Sequence, residues 1–143
     1  YHQAQTAVIV VDLGTAVTFD VVDAQGRYRG GAIAPGLGLS LDALFSQTAK
    51  LPRIDLVPPA KSIGRNTVES IQSGVFFGAV SMVDGMVDRM RSELDEDPLS
   101  VIATGGYAEH VADSSRTIQR VDQDLTLFGL HFLYGMNQPT DGK

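Results

Sequence analysis

The sequence predicts an α/β domain with mixed strand pairing. Three strand-like segments joined by tight turns open the chain, two helical patterns follow, and strand and helix then alternate to the C-terminal end.

Ala7 to Val11 is a continuous apolar run bounded by polar residues, the pattern of a buried strand. Val17 to Val22 reads as its hairpin partner. Ala24-Gln25-Gly26 is a turn into a third strand, Arg27 to Ile33, which closes an antiparallel meander. Gly30, Gly31, Pro35, Gly36 and Gly38 crowd the end of that strand, marking either a close fit of backbone to a ligand or a plain break in structure. Leu37, Leu41, Leu44 and Phe45 fall at helical spacing and predict an amphipathic helix ending near Lys50-Leu51-Pro52.

Residues 53–66 lack periodicity and contain Pro58-Pro59 and Gly64, so they read as a surface loop of the kind that often carries binding residues. Asn66 and Glu69 resemble a capping box with Thr67 in the first turn, and such a helix start can hold an anion or a polar ligand. Val68, Ile71, Val75, Ala79, Met82, Met86 and Met90 then predict one long helix from Thr67 to Leu94, the methionines serving as core filler. Gly74 and Gly78 clear one surface of this helix and predict the close approach of another element. Asp95 to Pro98 is a solvated turn. Ser100 to Ala103 is a short buried strand that runs into Thr104-Gly105-Gly106. Two adjacent glycines there suit a flat ring or a ribose, or form a simple turn. A short helical segment at 108–112, a last strand from Thr117 to Val121 and an apolar helix from Leu125 to Tyr134 complete the domain, which spans 1–137. Residues 138–143 read as a loose tail.

The chemistry concentrates in Asp12-Leu13-Gly14-Thr15-Ala16-Val17-Thr18-Phe19-Asp20, which joins the first two strands. Gly14 lets backbone approach a ligand, Thr15 and Thr18 supply donors, and Asp12 and Asp20 supply cation ligands or acceptors. This is phosphate-and-cation chemistry. An Asp-x-Gly-Thr sequence also occurs in aspartic proteases, but those are almost entirely β, whereas long helical patterns follow here. Asp20 reads equally as a ligand or as a structural acceptor.

With 143 residues, 43% of them hydrophobic, the chain is one soluble domain with a real core and no run of transmembrane length. Tyr1 to Thr6 has no signal-peptide pattern, and a cytoplasmic location is expected. The lack of cysteine excludes disulfides and thiolate-bound zinc. A net charge of -6, with eleven scattered Lys and Arg residues, argues against nucleic acid as a partner. His2, His110 and His131 have no spacing that suggests a metal site or a catalytic pair.

The order of elements resembles one lobe of the actin, hexokinase and Hsp70 superfamily of ATPases, whose lobes are ribonuclease H-like. More closely, the chain resembles the C-terminal half of type III pantothenate kinase. That resemblance rests on the Asp12 to Asp20 hairpin, Gly30-Gly31-Ala32-Ile33-Ala34-Pro35-Gly36, Thr48-Ala49-Lys50-Leu51-Pro52, Gly64-Arg65-Asn66-Thr67, Ser73-Gly74, Thr104-Gly105-Gly106 and Asp124 to Leu130. It implies transfer of the ATP γ-phosphoryl group to the hydroxyl of pantothenate, the first committed step toward coenzyme A. On these matches Asp12 holds a monovalent cation, potassium or ammonium. Gly14, Thr15, Gly105 and Gly106 contact ATP, supplied with magnesium, and Thr67 contacts pantothenate. The family's base, in a Gly-Ala-Asp-Arg motif, and its first phosphate loop, Asp-x-Gly-Asn-Thr, do not occur in this sequence. The resemblance places both in an N-terminal lobe, without which catalysis is not expected. It further implies a homodimer and no membrane partner. The alternative is a non-catalytic dimerisation or accessory regulatory module of the same family.

Overall fold

The computed structural model describes residues 4–48 and 51–137. Its elements are β1 (Ala7–Leu13), β2 (Ala16–Val22), β3 (Tyr28–Pro35), α1 (Leu37–Gln47), α2 (Thr67–Leu94), β4 (Leu99–Thr104), α3 (Ala108–Ala112), β5 (Arg120–Val121) and α4 (Leu125–Met136). The five strands form one sheet in the order β3-β2-β1-β4-β5. The β1–β2 and β2–β3 pairs are antiparallel, while β1–β4 and β4–β5 are parallel. The mixed α/β architecture is therefore the expected one.

Alternation along the strands divides the sheet into two faces. Ile9, Val11, Leu13, Val17, Phe19, Val101 and Ala103 point to the face packed by Leu37 of α1, by Phe76, Val80, Val83 and Val87 of α2, and by Ala108 and Val111 of α3. Each Val, Leu, Ile or Phe side chain in this layer contributes about 1.5–3 kcal/mol on leaving water. Val8, Val10, Asp12, Thr18, Asp20, Ile102 and Thr104 point to the opposite face, together with residues of α4.

Helix α2 runs over the predicted span and begins as its cap predicts. The Glu69 N–H donates to Asn66 Oδ1 at 2.9 Å, and the Glu69 carboxylate accepts from the Arg65 N–H at 2.8 Å and from Asn66 Nδ2 at 2.9 Å. By length and composition this helix is apolar enough to cross a membrane, contrary to the expectation that no such run exists. Its Ile71, Phe76, Val80, Val83 and Val87 are nonetheless buried within the domain. Among the described residues, the close neighbour expected at Gly74 and Gly78 is also absent. A Cβ at either would meet nothing within 4 Å, because the two glycines line an open groove.

The first four strands are longer than the apolar runs suggested, and β5 is shorter than the predicted Thr117 to Val121. Thr117 is diverted into a cluster in which the Asp84 carboxylate of α2 accepts from Ser115 Oγ at 2.6 Å and Thr117 Oγ1 at 2.8 Å. Pairing resumes only where the Gln119 N–H reaches the Val101 carbonyl at 3.0 Å. Helix α1 stops at Gln47, before the predicted end, whose Lys50 lies outside the described residues, as does the expected tail at 138–143.

The turn between β2 and β3 is organised by Asp23, which is fully buried. Its carboxylate accepts from the N–H groups of Gln25 and Arg27 and from the Arg27 and Arg29 guanidinium groups. Burial pushes this carboxyl up, but the donors, led by the Arg27 N–H, outweigh it and hold the pKa at about 2 against an ordinary 3.8. A depressed folded-state value means that the stabilisation is complete above the unfolded value and is lost as the pH falls from about 4 to about 2. The urea midpoint should decline through that window in the natural protein, and the Asp23→Asn variant should decline less steeply there.

Candidate functional site

The β1–β2 hairpin is held at its tip by backbone alone. The Gly14 N–H donates to the Ala16 carbonyl at 3.1 Å, and the Gly36 N–H donates to the Thr15 carbonyl at 3.1 Å. A Cβ on Gly36 would lie 2.3 Å from that carbonyl oxygen, so only glycine lets the start of α1 reach the hairpin. This contact leaves Thr15 exposed at the tip.

Asp12 lies one register step before the end of the β1–β2 pair, opposite Thr18, and at the last step of the β1–β4 pair, opposite Thr104. Directly opposed side chains of the antiparallel β1–β2 pair stand about 5 Å apart at Cβ, and Thr104 lies on the same face of β4, so a carboxylate and two hydroxyls share one end of the sheet. Gly105 follows Thr104 with φ at +95° and passes directly over Asp12. A Cβ there would lie 2.6 Å from Asp12 Oδ1 and 2.7 Å from the Leu13 carbonyl carbon. Gly14 closes the other side, where a Cβ would lie 3.3 Å from the same oxygen. The Tyr107 N–H donates to the Leu13 carbonyl at 3.2 Å and fixes the β4–α3 turn against β1.

Asp12 is thus a half-buried carboxylate cradled by two glycines. Among the described residues, no hydrogen bond or ion pair ends on it. A half-buried carboxylate with no donor beside it could hold a cation. It lines a cavity of about 340 Å³ between the sheet and α4, shared with Thr18, Asp20, Thr104, Thr126, Phe128 and Gly129 and, among the described residues, lacking any Lys, Arg or His. The described residues contain no group of three or more His, Cys, Asp or Glu suited to a metal, so the donors here are a single free carboxylate and hydroxyls. Such a set of hard oxygen donors could hold a cation.

Thr67 is elsewhere. It lies exposed at the start of α2 and lines a second, larger groove of about 760 Å³ with Pro35, Leu37, Ser40, Ile71, Gly74 and Gly78. The predicted residues therefore form two groups. Asp12, Gly14 and Gly105 surround one carboxylate, whereas Thr67 sits in the groove between α1 and α2. Gly106 is exposed, and a Cβ there would meet nothing within 4 Å, so the two adjacent glycines have different structural duties. The groove itself escaped sequence reasoning, although Gly74 and Gly78 were its signal.

Helix α4 covers the cavity incompletely. It is apolar around most of its circumference, yet none of its residues is buried, with Leu127 65%, Leu130 59% and Tyr134 67% exposed. A helix apolar on all sides is normally enclosed on all sides.

A mixed sheet with β1–β2–β3 antiparallel, β4 and β5 parallel to β1, and helices on both faces is the arrangement of a ribonuclease H-like, actin-like fold. The same fold is found in a solved Campylobacter jejuni protein assigned to the Baf family of transcriptional activators, with a TM-score of 0.65 and 21% identity over 92% of this chain and 58% of that one. The family profile for type III pantothenate kinase matches residues 1–89, and the chain belongs to that family. Type III pantothenate kinases of Syntrophotalea carbinolica and Citrifermentans bemidjiense are 54% and 52% identical over 94% and 96% of this chain. That of Myxococcus xanthus is 50% identical over 96%. The chain spans about half the length of these relatives, 52% to 54%, and corresponds to their C-terminal half.

Proposed function

We propose that this chain is the C-terminal lobe of an ATP-dependent kinase that phosphorylates pantothenate to 4'-phosphopantothenate, and that it acts only together with an N-terminal lobe. The observation that carries the reading is Asp12, an unpartnered carboxylate at a glycine-lined strand end beside a hydroxyl-bearing hairpin tip.

In the reaction the acceptor hydroxyl oxygen bonds to the γ-phosphorus of ATP, the bond from that phosphorus to the bridging oxygen breaks, and ADP leaves. The hydroxyl proton passes to a base, which this reading assigns to the other lobe. The work of the present chain is positional. Gly105 and Gly106 offer a surface without side chains to the adenosine portion of ATP, while Gly14 and Thr15 present backbone and hydroxyl to its phosphates. Asp12 holds potassium or ammonium, which when bound supplies positive charge next to those phosphates. Thr67 gives a hydroxyl to the acceptor in a groove whose other walls are mostly apolar, suited to the methyl-bearing part of pantothenate. A cytoplasmic homodimer belongs to the same reading, with the uncovered strip at Gly74 and Gly78 open to a second copy.

Thr67→Ala in the complete kinase should raise the pantothenate KM about tenfold or more and leave the ATP KM within about twofold. Steady-state kinetics with each substrate varied in turn makes the test. Unchanged constants for both substrates would remove Thr67 from the acceptor site.

A further inference from the structure

One carboxylate on the same face of the sheet has no place in that account. Asp20 lies two residues beyond Thr18 on β2 and lines the same cavity as Asp12. Unlike Asp12, it accepts hydrogen bonds. Its Oδ2 accepts from Thr18 Oγ1 at 3.3 Å, and its Oδ1 accepts from the Tyr28 hydroxyl at 3.0 Å. The hydrogen bond to Asp20, reinforced by that carboxylate's charge, pushes the Tyr28 phenol up, so the phenol remains a donor at neutral pH.

A threonine hydroxyl has one proton and two lone pairs. With the proton directed to Asp20, Thr18 cannot donate to Asp12, the residue directly opposite it on β1. Only its oxygen lone pairs remain for whatever Asp12 binds. We propose that Asp20 is a positioning residue, which by accepting the hydrogen bond of the Thr18 hydroxyl leaves the Thr18 oxygen lone pairs to serve as a neutral ligand of the cation held by Asp12, with Tyr28 fixing Asp20. The inference rests on the cation reading of Asp12. It accounts for two carboxylates in one cavity around a singly charged ion: one meets the ion, and the other orients a neutral ligand, so the net ligand charge remains minus one. Asp20 is the less available of the two carboxylates, because each of its oxygens already accepts a hydrogen bond.

The test uses the complete kinase, measuring both turnover and the rise in melting temperature as potassium is added. Asp20→Asn and Thr18→Val should raise the potassium concentration for half-activation, and for half the thermal shift, about tenfold or more. Tyr28→Phe should shift both in the same direction by a smaller factor, and Thr18→Ser should restore the natural values. At saturating potassium, kcat of Asp20→Asn should return to within about threefold of the natural enzyme. A natural enzyme indifferent to potassium in both readouts would overturn the cation reading and this inference with it. A potassium-dependent enzyme whose Asp20→Asn and Tyr28→Phe variants keep the natural half-activation concentration would overturn this inference alone.

Discussion

Replacing Gly105 by alanine should destabilise the domain by about 2–5 kcal/mol, a large fraction of the roughly 5–15 kcal/mol that holds a typical domain folded. Two costs combine. The residue has φ at +95°, outside the conformations that a side chain adopts without strain. Its Cβ would also sit 2.6 Å from Asp12 Oδ1 and 2.7 Å from the carbonyl carbon of Leu13. Backbone cannot rotate away as a flexible side chain can, so β1 and the β4–α3 turn must separate and the Tyr107–Leu13 hydrogen bond must stretch. The neighbouring Gly106→Ala supplies the control, since its Cβ would meet open space and the change should alter stability by no more than about 0.5 kcal/mol. Urea unfolding of both variants measures the contrast. Equal midpoints would contradict the packing described for Asp12.

Much of this was legible in the sequence because local rules and tertiary packing agree. The cap at Asn66 and Glu69 fixed the start of α2, and the apolar spacing from Val68 to Met90 carried it to its end. Strand ends were less legible. Asp12, Leu13 and Thr104 continue their strands despite polar or turn-like neighbours, because pairing on both sides of β1 outweighs local propensity. Thr117 fails to join β5 for the opposite reason: Asp84, 33 residues away, captures its hydroxyl. Gly74 and Gly78 signalled a cleared surface but not what fills it, and the same composition serves a close helix contact or an open groove. The separation of Thr67 from Asp12 was invisible for a similar reason. A motif names residues without saying which face of the sheet they serve.

The chain alone should turn over pantothenate at least about four orders of magnitude more slowly than the chain joined to its N-terminal half. Loss of a proton-accepting base typically costs about two to four orders, and loss of half the surface that orients ATP adds to it. The same division should be visible physically. Leu127, Leu130, Leu133, Tyr134 and Met136 all project into solvent from α4. An apolar surface of this kind favours association, so the isolated chain should self-associate in sedimentation and the joined protein should not form the same aggregates. Hydrophobic burial of α4 by the second lobe would also close the cavity containing Asp12, where water exclusion strengthens every charge interaction.

The most direct measurement is ATP-dependent phosphorylation of pantothenate in potassium by equal concentrations of the chain alone and the chain joined to its N-terminal half. The account predicts potassium-dependent 4'-phosphopantothenate formation by the joined protein and turnover lower by about 10⁴-fold or more from the chain alone. Equal turnover by the two, or a joined protein that leaves pantothenate unphosphorylated, would contradict it.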